Sequence, residues 1–274
     1  MKKIIYLIIL LALILCISAC SSSDDNSSVS AKPNKTGTPG LLYEPKVGGY
    51  VVTGYNGISA DVVIPDTYAD GPVIEIGEGA LTDTEITSLT LGKNIKKIGN
   101  GGFGISRKLT KIVLNEGLEL LDGFNDAYSL KEISVPSTVT EIDNMAFRYA
   151  NQLESVKFAK GSKLYLLDSA AFAYCFSLKD INLNNTNVQI IDNHAFENCF
   201  ALKELHLPAS CIYFGRGVFS GWTSDQTIYM GCSRDSIGMY GSGKFFTKDQ
   251  YTPEQWESVY KLIFEGCEAK IVYP

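Results

Sequence analysis

Six short segments of the chain share an L-x-x-I-x-L frame: ITSLTL (86–91), LTKIVL (109–114), LKEISV (130–135), LESVKF (153–158), LKDINL (178–183) and LKELHL (202–207). Their alternation of apolar and polar residues is the period of a strand with one buried face. A second frame, I/L-G/D-x-x-A-F, interleaves with it: IGEGAL (76–81), IGNGGF (98–103), IDNMAF (142–147), LDSAAF (167–172) and IDNHAF (191–196). LDGF (121–124) is a shortened copy and FGRGVF (214–219) a drifted one. These copies begin at residues 76, 98, 121, 142, 167, 191 and 214, steps of 21 to 25 residues. Each unit therefore predicts a short strand, then a turn carrying a buried Phe. No unit can close a core alone, so the units must stack. Seven coils at ~4.8 Å each make a rod about 34 Å long.

One segment breaks the period, residues 230–266. Within it TPEQW (252–256) predicts a helix start, with Thr252 as N-cap, Pro253 at the first helical position and Gln255 completing a capping box. Trp256, Val259, Tyr260 and Ile263 follow on one apolar face, and Gly266 can serve as the stop. The segment is expected to form a helical cap on the last coil.

The two frames resemble the BspA-like class of bacterial leucine-rich repeats, most closely at ISVPSTVTEIDNMAFRYANQLESVKF (133–158). GGYVVTGYNGISADVVIPDTYADGPVIEIGEGAL (48–81) looks like the hairpin and first coil that open such domains, and GCEAKIVYP (266–274) like their closing strand. The resemblance implies an α/β, strand-dominated, curved solenoid of about seven coils, with an N-terminal hairpin cap and a C-terminal helix-containing cap. It implies partners on host or neighbouring cells, and says little about the ligand, because packing residues define the class.

The N-terminus reads differently. Lys2 and Lys3 precede an apolar run, IIYLIILLALILCI (4–17), too short for a confident membrane span, and ISAC (17–20) follows. This resembles a lipoprotein signal, implying cleavage before Cys20 and its lipidation. SSSDDNSSVSAKPNKTGTPG (21–40) has no apolar periodicity and reads as a tether. Ser21 beside Cys20 resembles outer-membrane sorting in Gram-negative lipoproteins, and Asp24-Asp25 an export tag of surface-exposed ones. The expected organisation is signal peptide 1–19, tether 20–42, solenoid 43–226 and cap 227–274. The membrane is reached through the anchor only.

A net charge of −6 argues against non-specific nucleic-acid binding. Of seven cysteines, Cys16 lies in the signal and Cys20 carries the lipid, leaving an odd number. Disulfides Cys175–Cys199 and Cys232–Cys267 stay open against free thiols. The stretch IDNHAFENCFALKELHLP (191–208) holds both histidines of the chain, with Asp192 and Cys199. The repeat register removes most of its chemistry. His194 shares its column with Gly79, Gly101, Met145, Ala170 and Gly217, a turn position that accepts almost anything. Cys199 shares one with Ser106, Ala150, Cys175 and Trp222 and reads as a packing residue. Asp192 aligns with Asp122, Asp143 and Asp168 and reads as the N-cap of a helical turn. GNGGFG (99–104) occupies the repeat's own slot, and GMYGSGK (238–244) runs into Phe245 where a phosphate loop needs Ser or Thr. The expectation is a non-enzymatic protein without cofactor or metal.

Two surfaces remain for a partner. The outward strand positions, including Lys157, Asn182 and His206, carry alternating charges and no aromatics. The positions before each I-G/D turn apolar in three successive coils: Tyr165 and Leu166, Ile190, then Ile212 and Tyr213. Tyr149, Tyr174, Phe176 and Phe200 lie in nearby turns. Either these residues form a contiguous patch for a protein partner, or residues 230–266 fold back and cover it. The patch also suits a glycan-binding accessory role, with rings stacking on sugars.

Overall fold

The computed structural model of the protein describes residues 36–274. Cys20 and the signal lie outside the described residues. The tether was expected to run to residue 42, but the fold begins sooner. Thr38 donates its amide to the Val63 carbonyl (3.0 Å), its hydroxyl accepts the Val63 N–H (2.8 Å), and Leu41 is buried.

An antiparallel hairpin, β1 (Leu41–Lys46) and β2 (Gly49–Tyr55), opens the chain. The coils then feed two strand columns. The first holds β3 (Asp61–Val63), β6 (Ser88–Thr90), β8 (Lys111–Val113), β10 (Glu132–Val135), β12 (Ser155–Phe158), β14 (Asp180–Ile181), β16 (Glu204–His206), β18 (Thr227–Tyr229) and β21 (Lys270–Val272). The second holds β5 (Gly71–Ile76), β7 (Lys97–Ile98), β9 (Leu120–Leu121), β11 (Glu141–Ile142), β13 (Leu166–Leu167), β15 (Ile190–Ile191), β17 (Tyr213–Phe214) and β19 (Gly238–Gly241), all in one continuous parallel ladder. At its start β2 pairs parallel with β5, and β4 (Thr67–Tyr68) pairs antiparallel with β5. At its end β20 (Lys244–Phe246) folds back on β19. The result is a strand-dominated solenoid of about eight turns.

The core is a file of rings. Phe103, Phe124, Phe147, Phe172, Phe196 and Phe219 are buried, with successive centroids 5.0, 5.2, 5.1, 5.6 and 6.4 Å apart. The spacing follows the coil repeat, so one Phe per unit gives a continuous apolar column. Phe264 lies 5.8 Å beyond Phe219 and ends the file.

The turns form a third ladder. Met145, Phe147 and Tyr149 donate their amides to Ser169, Ala171 and Ala173 of the next coil (2.8–3.0 Å), while Ala146 and Arg148 close local turns on Asp143 and Met145. This alternation needs left-handed backbone twice per turn. The column read as tolerant of anything is the first such site: Gly79, Gly101, Met145, Ala170, His194 and Gly217 all have φ between 55° and 61°. It disfavours side chains through the Cβ, and three coils place glycine there.

The helix α1 (Pro253–Ile263) forms as the sequence predicts. The Thr252 amide donates to Gln255 Oε1 (2.9 Å), and Thr252 Oγ1 accepts the Gln255 N–H (3.3 Å). It ends at Ile263, three residues before Gly266. Its terminal carbonyls have no partner within the helix. Those of Leu262 and Ile263 accept the amides of Gly217 and Val218, and Gly266 accepts Gly221. The helix end thereby completes the last turn ladder. Residues 227–274 also continue both strand columns through β18, β19 and β21, so the cap expected from 227 onward is partly an eighth coil.

Candidate binding surfaces

One aromatic cluster lies on the turns. The second left-handed site of each coil carries Asp83, Ile105, Asp126, Tyr149, Tyr174 and Asn198 (φ 53° to 63°). Asp and Asn tolerate this backbone; a bulky side chain there is unusual. Tyr149 and Tyr174 nevertheless occupy it in adjacent coils, their rings stacked at 4.7 Å. The Tyr174 ring meets Phe176 edge-on at 6.1 Å, and Phe176 stacks on Phe200 at 5.8 Å. Phe176 and Phe200 are 41% and 46% exposed. The Arg148 guanidinium lies 4.6 Å from the Tyr149 ring centre and 5.6 Å from that of Tyr174. The Tyr174 hydroxyl donates to Glu197 Oε1 (2.9 Å), which raises its pKa. The rings thus form two face-to-face pairs set edge-on to each other, with ring faces of each pair turned to a neighbour.

The other apolar positions separate from this ridge. Ile190 is only 3% exposed, against the outward position expected for it. Its ladder neighbours Leu166 and Tyr213 flank it in register on either side. Ile212 and Tyr213 are half-buried, because the β19–β20 hairpin folds over this end. Phe245 packs 4.6 Å from Tyr213, and a Cβ added at Gly238 would sit 2.6 Å from the Tyr213 ring. Residues 230–266 therefore cover the far end of the expected patch. Leu166 is half-buried, and Tyr165 keeps 42% exposure.

The outward strand face carries more than solvated charge. The first column breaks into three sheets, β3-β6-β8, β10-β12-β14 and β16-β18-β21. A cleft of about 710 Å³ opens where β14 and β16 do not pair, and Asn182 and His206 line it. Lys157 lines a smaller hollow of about 240 Å³ and reaches Glu132 at 3.3 Å. The outward positions of the six L-x-x-I-x-L segments hold no aromatics, but Tyr229 sits beside His206 in register, ring on ring at 4.3 Å and 4°. TIY (227–229) is the eighth strand of this column, β18, and its frame has lost its leading leucine.

The BspA-type leucine-rich repeat model matches the chain in six copies, over residues 61–123, 74–183 and 121–242. The chain belongs to the BspA-type leucine-rich repeat family. Among curated proteins none matches. A T. pallidum leucine-rich repeat protein of known structure is similar over 86% of this chain and 99% of its own, at 23% identity and TM-score 0.56. A leucine-rich repeat protein from Bacteroides ovatus aligns over 75% of this chain and 67% of its own, at 23% identity and TM-score 0.45. A leucine rich cell surface protein from Faecalibacterium prausnitzii aligns over 89% and 96%, at 15% identity and TM-score 0.38.

Within the BspA-type frame the residues that mimic chemistry have structural roles. Cys175 and Cys199 are fully buried, and their thiols donate to the carbonyls of Phe147 (3.1 Å) and Phe172 (3.2 Å) one coil back. Trp222 Nε1 does the same to Phe196 (2.8 Å). Burial pushes the Cys199 thiol up to about 12, so it is no nucleophile at neutral pH. Cys175, Cys199, Cys211, Cys232 and Cys267 are all free thiols, which answers the open disulfide pairs. His194 faces Glu197 rather than a cysteine (3.2 Å).

Asp192 caps no helix; its turn is a tight one, and Oδ1 accepts the next residue's amide (2.6 Å), as in Asp122, Asp143 and Asp168 (2.5–2.7 Å). Glu141, Asp143 and Asp168 converge with carboxylate oxygens within 4.8 Å of one another. Desolvation first, and the Asp143 and Asp168 charges second, raise Glu141 to about 7. Desolvation likewise raises Asp122 to about 6.

Proposed function

We propose that this BspA-type repeat protein is a protein-binding module, held at the bacterial surface by a lipid on Cys20, with the turn ridge as its contact. The observation that carries the reading is the ridge of Tyr149, Tyr174, Phe176 and Phe200. Two of its tyrosines sit on backbone that favours Gly, Asn or Asp, so folding alone gives little reason for them. Two exposed phenylalanines, continued by two half-buried tyrosines and an arginine, have the composition of interface hot spots. A glycan stacks on an open ring face, and here neighbouring rings or Arg148 occupy several of those faces. Ring edges suit the apolar side chains of a protein instead. Host or neighbouring-cell surface proteins are the partners expected. The lipobox ISAC and the polar tether support display at the surface of a Gram-negative outer membrane.

Two experiments test the location. Acyl-chain labelling lost in Cys20→Ala supports the anchor, and retained labelling refutes it. Protease shaving of intact cells removes the solenoid if it faces outward and spares it if it faces the periplasm. The contact is tested with Phe176→Ala/Phe200→Ala, assayed on immobilised extracellular-matrix proteins. The reading predicts at least tenfold weaker binding and unchanged folding.

A further inference from the structure

The cleft between β14 and β16 is separate from the ridge and has a different character. Its walls come from two strands of one column that fail to pair. The shared L-x-x-I-x-L frame sets Asn182 one coil before His206. Tyr229 covers one face of the His206 imidazole, so the other face is the one available on the cleft side. That ring is a flat, backed platform. Asn182 Oδ1 already accepts the Asn184 amide (3.0 Å), so the donors of its –NH₂ are what it offers a ligand.

The charges that line the cleft cancel. Lys179 and Lys203 stand against Asp180 and Glu204. Both lysines are also held by carboxylates outside it, Lys179 by Glu154 (2.9 Å) and Lys203 by Asp225 (2.5 Å). An anionic ligand finds no surplus cation here, because Asp180, Glu204, Glu154 and Asp225 outnumber the two lysines. What remains is an aromatic face, amide donors and hydrogen-bonding groups of both signs in an open cleft. An uncharged pyranose has the matching chemistry: a C–H face for the ring and hydroxyls for the amides and carboxylates.

We infer that this cleft binds a neutral saccharide ring, stacked on His206 and hydrogen-bonded by Asn182. The inference is independent of the ridge, and a glycosylated protein partner could engage both surfaces.

The test uses the full-length lipidated protein in nanodiscs and saturation-transfer NMR. The probes are the methyl glycosides of glucose, galactose, mannose and N-acetylglucosamine, with sialyllactose as the anionic comparison. At least one neutral glycoside should show transfer strongest at its ring C–H protons. His206→Ala should reduce the signal at least tenfold, His206→Phe should keep it, and Asn182→Asp should weaken it. Phe176→Ala/Phe200→Ala should leave it unchanged, which separates this site from the ridge. The inference is overturned if no neutral glycoside gives a signal, if sialyllactose binds more tightly, or if His206→Ala binds like the wild type. Loss of protein binding without any sugar signal would make the cleft a peptide contact and overturn it as well.

Discussion

The left-handed column makes a sign prediction that no contact inventory would give. At Gly79 (φ 61°) the nearest atom to an added Cβ would be Thr82 Oγ1 at 3.7 Å, ordinary contact distance. Gly79→Ala therefore meets no steric obstacle, and its cost is conformational. Left-handed backbone costs an alanine roughly 1–2 kcal/mol, and the stiffer unfolded chain returns about 0.4–1. The net is about 1 kcal/mol of destabilisation. Met145 stands in the same column at φ 60° with an exposed side chain. Met145→Gly should run the other way, gaining roughly 0.5–1 kcal/mol after the entropy that glycine costs. In a domain of this size each kcal/mol moves Tm by ~2–4 °C. The assay is thermal and urea unfolding of both variants beside the wild type, followed by far-UV circular dichroism. A destabilised Met145→Gly, or a Gly79→Ala indistinguishable from wild type, would refute the reasoning, since both residues are exposed in the same column and Met145 gives up only a weak sulfur contact with Arg148 (3.9 Å).

Three further outcomes follow from the core and its charges. Phe172→Ala should cost about 3–5 kcal/mol, because the ring is fully buried between Phe147 and Phe196; urea midpoints measure it. A thiol reagent applied to the native protein should label Cys267, which is half-buried, well before Cys175, Cys199 and Cys211, and all five should react in urea; peptide mass spectrometry reads the order. Glu141 and Asp122 have raised folded pKa values, so the protonated fold is favoured. Their contribution is complete below about pH 4 and is lost as pH rises through about 6 for Asp122 and 7 for Glu141. Tm should therefore rise as pH falls from 7.5 to 5, and Glu141→Gln should flatten that slope.

The stacking direction was legible from the sequence because it is written once per coil. Ile142, Phe147, Leu153 and Val156 recur in kind at each period, and the structure buries them in one core. The left-handed sites were not legible, because Met145, Ala170 and His194 mask a requirement that only the backbone reveals. Ile190 looked outward by strand alternation, yet in a solenoid a side chain is also flanked by the residues one coil above and below. The eighth rung was hidden because Gly238 and Met239 carry no trace of the I-G-x-x-A-F frame. The candidate patch was half legible. Its aromatics were visible by type, but their division into an exposed turn ridge and a hairpin-covered end depends on where β20 lies.

The central claim is that the turn ridge binds protein. The direct measurement is the affinity of the protein for a panel of purified extracellular-matrix proteins, with Phe176→Ala/Phe200→Ala beside the wild type. Two hot-spot aromatics each contribute upwards of ~1 kcal/mol, so the double variant should bind at least tenfold more weakly while melting at nearly the same temperature. Equal affinity of the two proteins for every partner bound would contradict the account.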